Sequence, residues 1–169
     1  MIFELRQLSI NNGMDEYTML QEIGNNEYGF TNEVKEMPFG EYKKWLIQEE
    51  NYSKAIDLPE NWIPQTTYFF YANMCPVGIA RIRHFSSNAL EEQGVGNFGY
   101  GIAKSHRGKG YGNALFPHIL QKCKLLGYKK TKSFVNIDNI ASNKIFLASG
   151  AVLVGTFHNN KNIYEIDIL

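Results

Sequence analysis

Residues 99–113 read Gly99-Tyr100-Gly101-Ile102-Ala103-Lys104-Ser105-His106-Arg107-Gly108-Lys109-Gly110-Tyr111-Gly112-Asn113, and this stretch decides the fold. A strand pattern, Val95 to Ala103, stops at a loop of basic residues and glycines. A helical pattern follows over 109–126, where Leu115, Phe116, Ile119, Leu120, Cys123 and Leu126 recur at spacings of three and four. Strand, loop and helix in that order set the helix N-terminus beside the loop. Such an end offers unpaired N–H groups and a partial positive charge. Gly108, Gly110 and Gly112 let a ligand approach the backbone, and Arg107 and Lys109 add charge. The stretch therefore predicts a cradle for a diphosphate. It does not fit a dinucleotide fingerprint: the third glycine comes one residue early, and 122–137 contains no acid to hold a ribose. It is not a Walker loop either, since no Gly-Lys-Ser/Thr is present.

Outward from this loop the chain alternates strand and helix signals. Upstream, 2–8 reads as a strand, and Asp15 precedes a short amphipathic helix ended by Gly24. The span 25–37 is polar and loop-like, and Pro38 opens a second helix with Tyr42, Trp45, Leu46 and Ile47. The aromatic run 66–71 and the run 77–83 form a hairpin about Asn73-Met74-Cys75-Pro76. A short helix or loop covers 86–93. Downstream, 131–137 is a strand, and Asp138 or Asn139 caps a helix that Gly150 ends. Two strands, 151–157 and 163–168, close the chain. Pro117 lies inside the long helix, where it removes one backbone donor and predicts a kink. The sum is one α/β domain over 1–169, a mixed central sheet of about seven strands with helices on both faces.

Composition narrows the function. The chain has 17 basic and 17 acidic residues, 44% hydrophobic residues and a pI near 6.9, which suits a globular protein rather than a disordered one or a strongly basic nucleic-acid binder. The balance hides a division. Residues 1–60 carry 12 acids and 5 bases, a net of −7, and the remainder carries 5 acids and 12 bases, a net of +7. Eleven of those 12 bases lie between Arg81 and Lys144, the span that holds the cradle, which suits a polyphosphate ligand. Cys75 and Cys123 fit no metal spacing and suit a reducing compartment. There is no signal peptide and no apolar run long enough to span a bilayer, so the expectation is a cytoplasmic protein without metal or membrane attachment.

The segment Arg107-Gly108-Lys109-Gly110-Tyr111-Gly112 resembles the R/Q-x-x-G-x-G/A acetyl-coenzyme A loop of the GNAT N-acetyltransferase superfamily. The strand before it is similar to that family's fourth strand. Asn139-Ile140-Ala141-Ser142-Asn143-Lys144-Ile145-Phe146, followed by Gly150-Ala151, is similar to the family's second coenzyme-binding helix. The segments Arg81-Ile82-Arg83-His84 and 96–100 resemble an uncharacterised bacterial branch. The resemblance implies acetyl transfer from acetyl-coenzyme A to a primary amine of a small molecule or peptide. Homodimers are frequent in such folds.

It also implies roles. Ile102 and Ala103 supply backbone groups for the pantetheine arm and thioester, where strand four splays from strand five. Arg107, Gly108, Lys109, Gly110, Tyr111 and Gly112 hold the pyrophosphate, Asn139 contacts the pantetheine, and Lys144 assists the remaining phosphate. The family's Tyr acid falls at Phe146, which has no proton to give, so Ser142 becomes the candidate acid. The strand-four Glu falls at Asn97, leaving His84 as the candidate general base, with Glu91 and Glu92 as alternatives. These two departures also admit a non-catalytic coenzyme A-binding module or sensor. Acidic and aromatic residues near the N-terminus, among them Glu22, Glu27, Glu33, Glu36, Phe39, Trp45 and Trp62, suit a cationic acceptor.

Overall fold

The computed structural model describes all 169 residues. Strands β1 (Phe3–Gln7), β4 (Gln65–Ala72), β5 (Cys75–Arg83) and β6 (Phe98–Ile102) form an antiparallel sheet in the order β1-β4-β5-β6. Strands β7 (Lys130–Asn136), β8 (Val152–Phe157) and β9 (Lys161–Asp167) form a second antiparallel sheet in the order β7-β9-β8. These are the seven expected strands. A further pair, β2 (Asn26–Glu27) and β3 (Phe30–Thr31), occupies the segment read from sequence as loop. Its turn residues Tyr28 and Gly29 both have positive φ, 49° and 85°, as a tight two-residue hairpin turn requires. Two-residue strands carry too little alternation to be seen in sequence.

Helices α1 (Met14–Gln21) and α2 (Phe39–Ser53) cover one face, and α4 (Tyr111–Leu125) and α5 (Ile140–Ala148) the other. A single turn, α3 (Asn88–Glu91), lies before β6. Strand β4 shows why both faces are filled, since every one of its residues is buried. Tyr68 and Phe70 point into the core beneath α4, and the alternate Phe69 and Tyr71 into the core beneath α1 and α2. The long helix runs unbroken past Pro117. Its neighbours Phe116 and Ile119 are fully buried, and that packing offsets the missing hydrogen bond. No helix is long and apolar enough to cross a membrane.

The two sheets meet at one place. Asn97 donates its backbone N–H to Lys132 O at 2.9 Å, and its side-chain Oδ1 accepts the Lys132 N–H at 2.6 Å. Gly96 permits the approach, because a Cβ there would lie 2.5 Å from Lys132 O and 2.8 Å from Ser133 Cα. Beyond this junction β6 and β7 share no ladder and splay apart.

Candidate active site

The splay opens a cleft of about 370 Å³ between the sheets, roofed by the β2–β3 hairpin. Which backbone groups face it follows from register. Arg83 N–H bonds Asn97 O and Ala103 N–H bonds Val77 O. These two pairs share the register of Ala80 with Tyr100. Antiparallel ladders alternate, so residues 99, 101 and 103 and the carbonyl of Asn97 bond toward β5, and the backbone of Phe98, Tyr100 and Ile102 faces the splay. Ile102 therefore turns its backbone to the splay, although its carbonyl is taken by Arg107 Nε at 2.8 Å. The expectation for Ala103 does not. Its N–H is held by Val77 and its carbonyl by His106 N–H, so it has no backbone group to offer.

Side chains converge on the same cleft. The Tyr100 hydroxyl and Ser142 Oγ lie 2.9 Å apart, joining β6 to the first turn of α5. Burial pushes the Tyr100 hydroxyl up to about 12, against the opposing effect of the Ser142 hydrogen bond, so it keeps its proton at neutral pH. Ser142 is held because Asn139, the N-cap of α5, accepts the Ser142 N–H at 3.2 Å. On β7, Ser133 Oγ and Asn136 Oδ1 are buried without hydrogen-bond partners, and both residues line the cleft. Buried polar atoms rarely stay unpaired, so these two suit a ligand carrying amide groups. Phe146 is only 3% exposed, stacked on Phe98 and Tyr164 and packed edge-on against Phe116. It serves the core.

The loop after β6 holds a second part of the site. Gly108 and Gly110 have φ of 73° and 82°, a left-handed geometry that glycine adopts without strain. Gly110 caps α4, whose first helical bond is Ala114 N–H to Gly110 O, so the N–H groups of Tyr111, Gly112 and Asn113 point outward without helical partners. Gly112 also faces α5, where a Cβ would lie 2.7 Å from the Cδ1 end of the Ile145 side chain. Arg107 is already committed, pairing with Glu27 on the β2–β3 hairpin. Lys109 Nζ reaches back to Ser105 O at 2.8 Å, and the Ser105 N–H binds Glu22. Lys144 is exposed on α5.

His84 is not brought to the cleft. Its Nε2 lies 2.7 Å from Thr66 Oγ1, and burial holds its pKa below the usual histidine value. Glu91 pairs with Lys132, and Glu92 lies beside it against the three-stranded sheet. The acids that do line the cleft are Glu27 and Glu33, and Glu33 makes no ion pair. Tyr100, Asn97 and Arg83 form parts of the site or its frame that sequence reasoning missed. Tyr100 lies within the stretch that decides the fold, but its partner stands 42 residues away. A wider hollow of about 810 Å³, bordered by Leu120, Val152 and Ile168, lies elsewhere, and its charged groups are Lys124, Lys130, Glu165 and Asp167.

A model of the acetyltransferase (GNAT) family matches residues 31–150. No curated protein matches the sequence significantly. Among solved structures, an N-acetyltransferase from Staphylococcus aureus Mu50 aligns over 100% of both chains with a TM-score of 0.64 and 17% identity. The microcin C7 self-immunity acetyltransferase MccE, solved with acetyl-CoA and AMP, aligns over 98% of this chain and 92% of its own, with a TM-score of 0.69 and 16% identity. The Salmonella typhimurium protein yncA, solved with its cofactor acetyl-CoA, aligns over 100% of this chain and 95% of its own, with a TM-score of 0.62 and 10% identity.

Proposed function

This chain belongs to the acetyltransferase (GNAT) family, and on that premise we propose that it transfers an acetyl group from acetyl-coenzyme A to a primary amine by direct attack. The observation that carries the reading is the paired Tyr100 and Ser142 hydroxyls in a cleft whose wall is an unpaired strand edge. The thioester supplies the activated acetyl group. The unpartnered N–H groups at the start of α4, with Gly108 and Gly110, bind the diphosphate. Lys109 and the exposed Lys144 add positive charge around it. Ser133, Asn136 and Asn139 hold the pantetheine amides along the cleft. The Tyr100 or Ile102 N–H donates to the carbonyl oxygen as negative charge develops there.

Ser142 protonates the departing sulfur and takes a proton from Tyr100 along their hydrogen bond, and the proton that the attacking nitrogen loses as the intermediate collapses restores Tyr100 through water. Glu33 takes the proton of the substrate ammonium through water. This assignment moves the base from His84 and keeps the acid at Ser142, with Tyr100 behind it.

The test is thiol release over an amine panel, beside calorimetric binding of acetyl-coenzyme A. Ser142→Ala and Tyr100→Phe are expected to lower kcat by roughly 100-fold, the usual worth of a positioned acid, with coenzyme affinity unchanged. Full turnover in Ser142→Ala removes the proton role. Coenzyme binding without release by any amine favours the non-catalytic binding module.

A further inference from the structure

Two cations in the cleft wall have no acidic partner. Arg81 and Arg83 stand two apart on β5 and so project to the same face. Arg81 is matched: Nε lies 3.5 Å from Glu49 Oε2, Nη1 donates to Thr31 O at 2.7 Å, and the guanidinium lies over the Phe30 ring. Arg83 is not. Its side chain makes one hydrogen bond, from Nη1 to Gly96 O at 2.8 Å, and it forms no ion pair. Lys161 repeats the pattern, donating to Gly94 O at 3.2 Å, again without a carboxylate. Both residues line the cleft. Burial, and next the charge of Arg81, hold the Arg83 pKa below the usual value, which is the mark of a cation short of a counter-charge. Arg83 and Lys161 are each only partly exposed, and cations so shielded are ordinarily paired. The nearby acids do not supply the pair: Glu27 is held by Arg107 and Glu49 by Arg81, while Glu33 is exposed at the rim.

Position says which ligand this charge serves. Arg83 lies opposite Asn97, five residues along β6 from Ile102, or about 17 Å of strand. That is too far for the diphosphate cradle at the start of α4. Tyr100 is three residues from Asn97, about 10 Å of strand, and although its side chain projects to the opposite face of the sheet, it and Arg83 line the same cleft.

We propose that the acceptor amine also carries an anionic group, a carboxylate or phosphate, which Arg83 binds through its guanidinium fork with Lys161 beside it. The inference rests on the acetyl-transfer reading and names its substrate class. It replaces the sequence expectation of an acceptor drawn only by acidic residues, because the cleft acids are paired or at the rim while two of its cations are unpaired. A guanidinium suits both carboxylate and phosphate, since each accepts two parallel N–H bonds.

The experiment is calorimetric titration of the full chain, saturated with coenzyme A, with three series of matched length: ω-aminocarboxylates, aminoalkyl phosphates and plain alkylamines. At least one anionic series is expected to bind more tightly than the alkylamines, and the two anionic series distinguish carboxylate from phosphate. Arg83→Gln weakens that binding about tenfold or more, as loss of a charge-assisted contact does, and leaves alkylamine and coenzyme A binding unchanged. Lys161→Ala weakens it severalfold and decides the question alone should Arg83→Gln lose coenzyme affinity. Alkylamines binding as tightly as the anionic amines overturn the proposal, as does wild-type binding of the anionic amines in Arg83→Gln. Thiol release is read separately. Its absence with every amine retires acetyl transfer, while the titration still decides whether Arg83 is an anion site.

Discussion

Asn97→Ala tests the junction between the two sheets directly. Asn97 is 3% exposed, and its side chain replaces a rung that the diverging backbones cannot form. Oδ1 accepts the Lys132 N–H at 2.6 Å, and Nδ2 donates to Ser86 Oγ at 3.1 Å. Truncation leaves the Lys132 N–H without its acceptor, at a cost of about 1–3 kcal/mol. Ser86 is exposed to water and recovers most of its loss. The backbone bond from Asn97 N–H to Lys132 O survives, so the sheets stay in contact. At about 2–4 °C per kcal/mol for a chain of this size, a loss of about 2 kcal/mol lowers Tm by about 4–8 °C. Thermal unfolding by circular dichroism reads the total, and amide exchange at Lys132 reads the bond itself. Ser86→Ala is the control and costs under about 1.5 kcal/mol. An Asn97→Ala protein that melts within about 1 °C of wild type, with Lys132 equally protected, refutes the side chain as a structural rung.

The remaining predictions concern packing, the loop and the thiols. Gly112→Ala gains up to about 1 kcal/mol of helix propensity but meets Ile145 Cδ1 at 2.7 Å, so its net effect is near zero. In an Ile145→Val background, which lacks that methyl, the same change stabilises by up to about 1 kcal/mol; equal effects in both backgrounds, by chemical denaturation, disprove the contact. Gly110→Ala forces a side chain to φ 82° and costs about 1–2 kcal/mol, with a matching loss of acetyl-coenzyme A affinity; unchanged melting and binding contradict the loop's role. Burial pushes the Cys123 thiol up to about 12, while Cys75 is exposed, so a chromogenic disulfide titrates one thiol natively and two after denaturation; two fast native thiols count against this core.

Much of this fold was legible because its signals are local. The strand–loop–helix stretch at 99–113, the three-and-four spacing of α4 and the alternation in β9 each depend on neighbours in sequence, and all three elements stand where they were expected. The Asn139 cap and the Gly150 stop were readable for the same reason. What escaped depends on pairs far apart. Tyr100 meets Ser142 and Asn97 meets Lys132 only after the sheets are placed, and nothing in either segment announces the other. Gly112 reads as a ligand-facing glycine because its motif is local, but its contact with Ile145 of another helix is not legible there. Ala103 failed by parity: the strand's register gives its N–H to Val77, and one residue's difference turns a backbone group from the cleft to the sheet. Arg83 escaped because an absent partner cannot be seen in a one-dimensional chain.

The splay has a further consequence, for solubility. An open strand edge exposes a row of unsatisfied amides and carbonyls that invites pairing with other chains, and proteins usually blunt it with charge, proline or a covering element. This molecule places two such edges, those of β6 and β7, at its centre, facing one another across the cleft. The hairpin of β2 and β3 roofs them, and Asn97 with Gly96 ties their base. A passing β-strand would have to enter a cleft of about 370 Å³ to reach them. These two inner edges are thus screened from other chains, whereas β8, an outer edge with Val152, Leu153 and Val154 exposed, is left open to them.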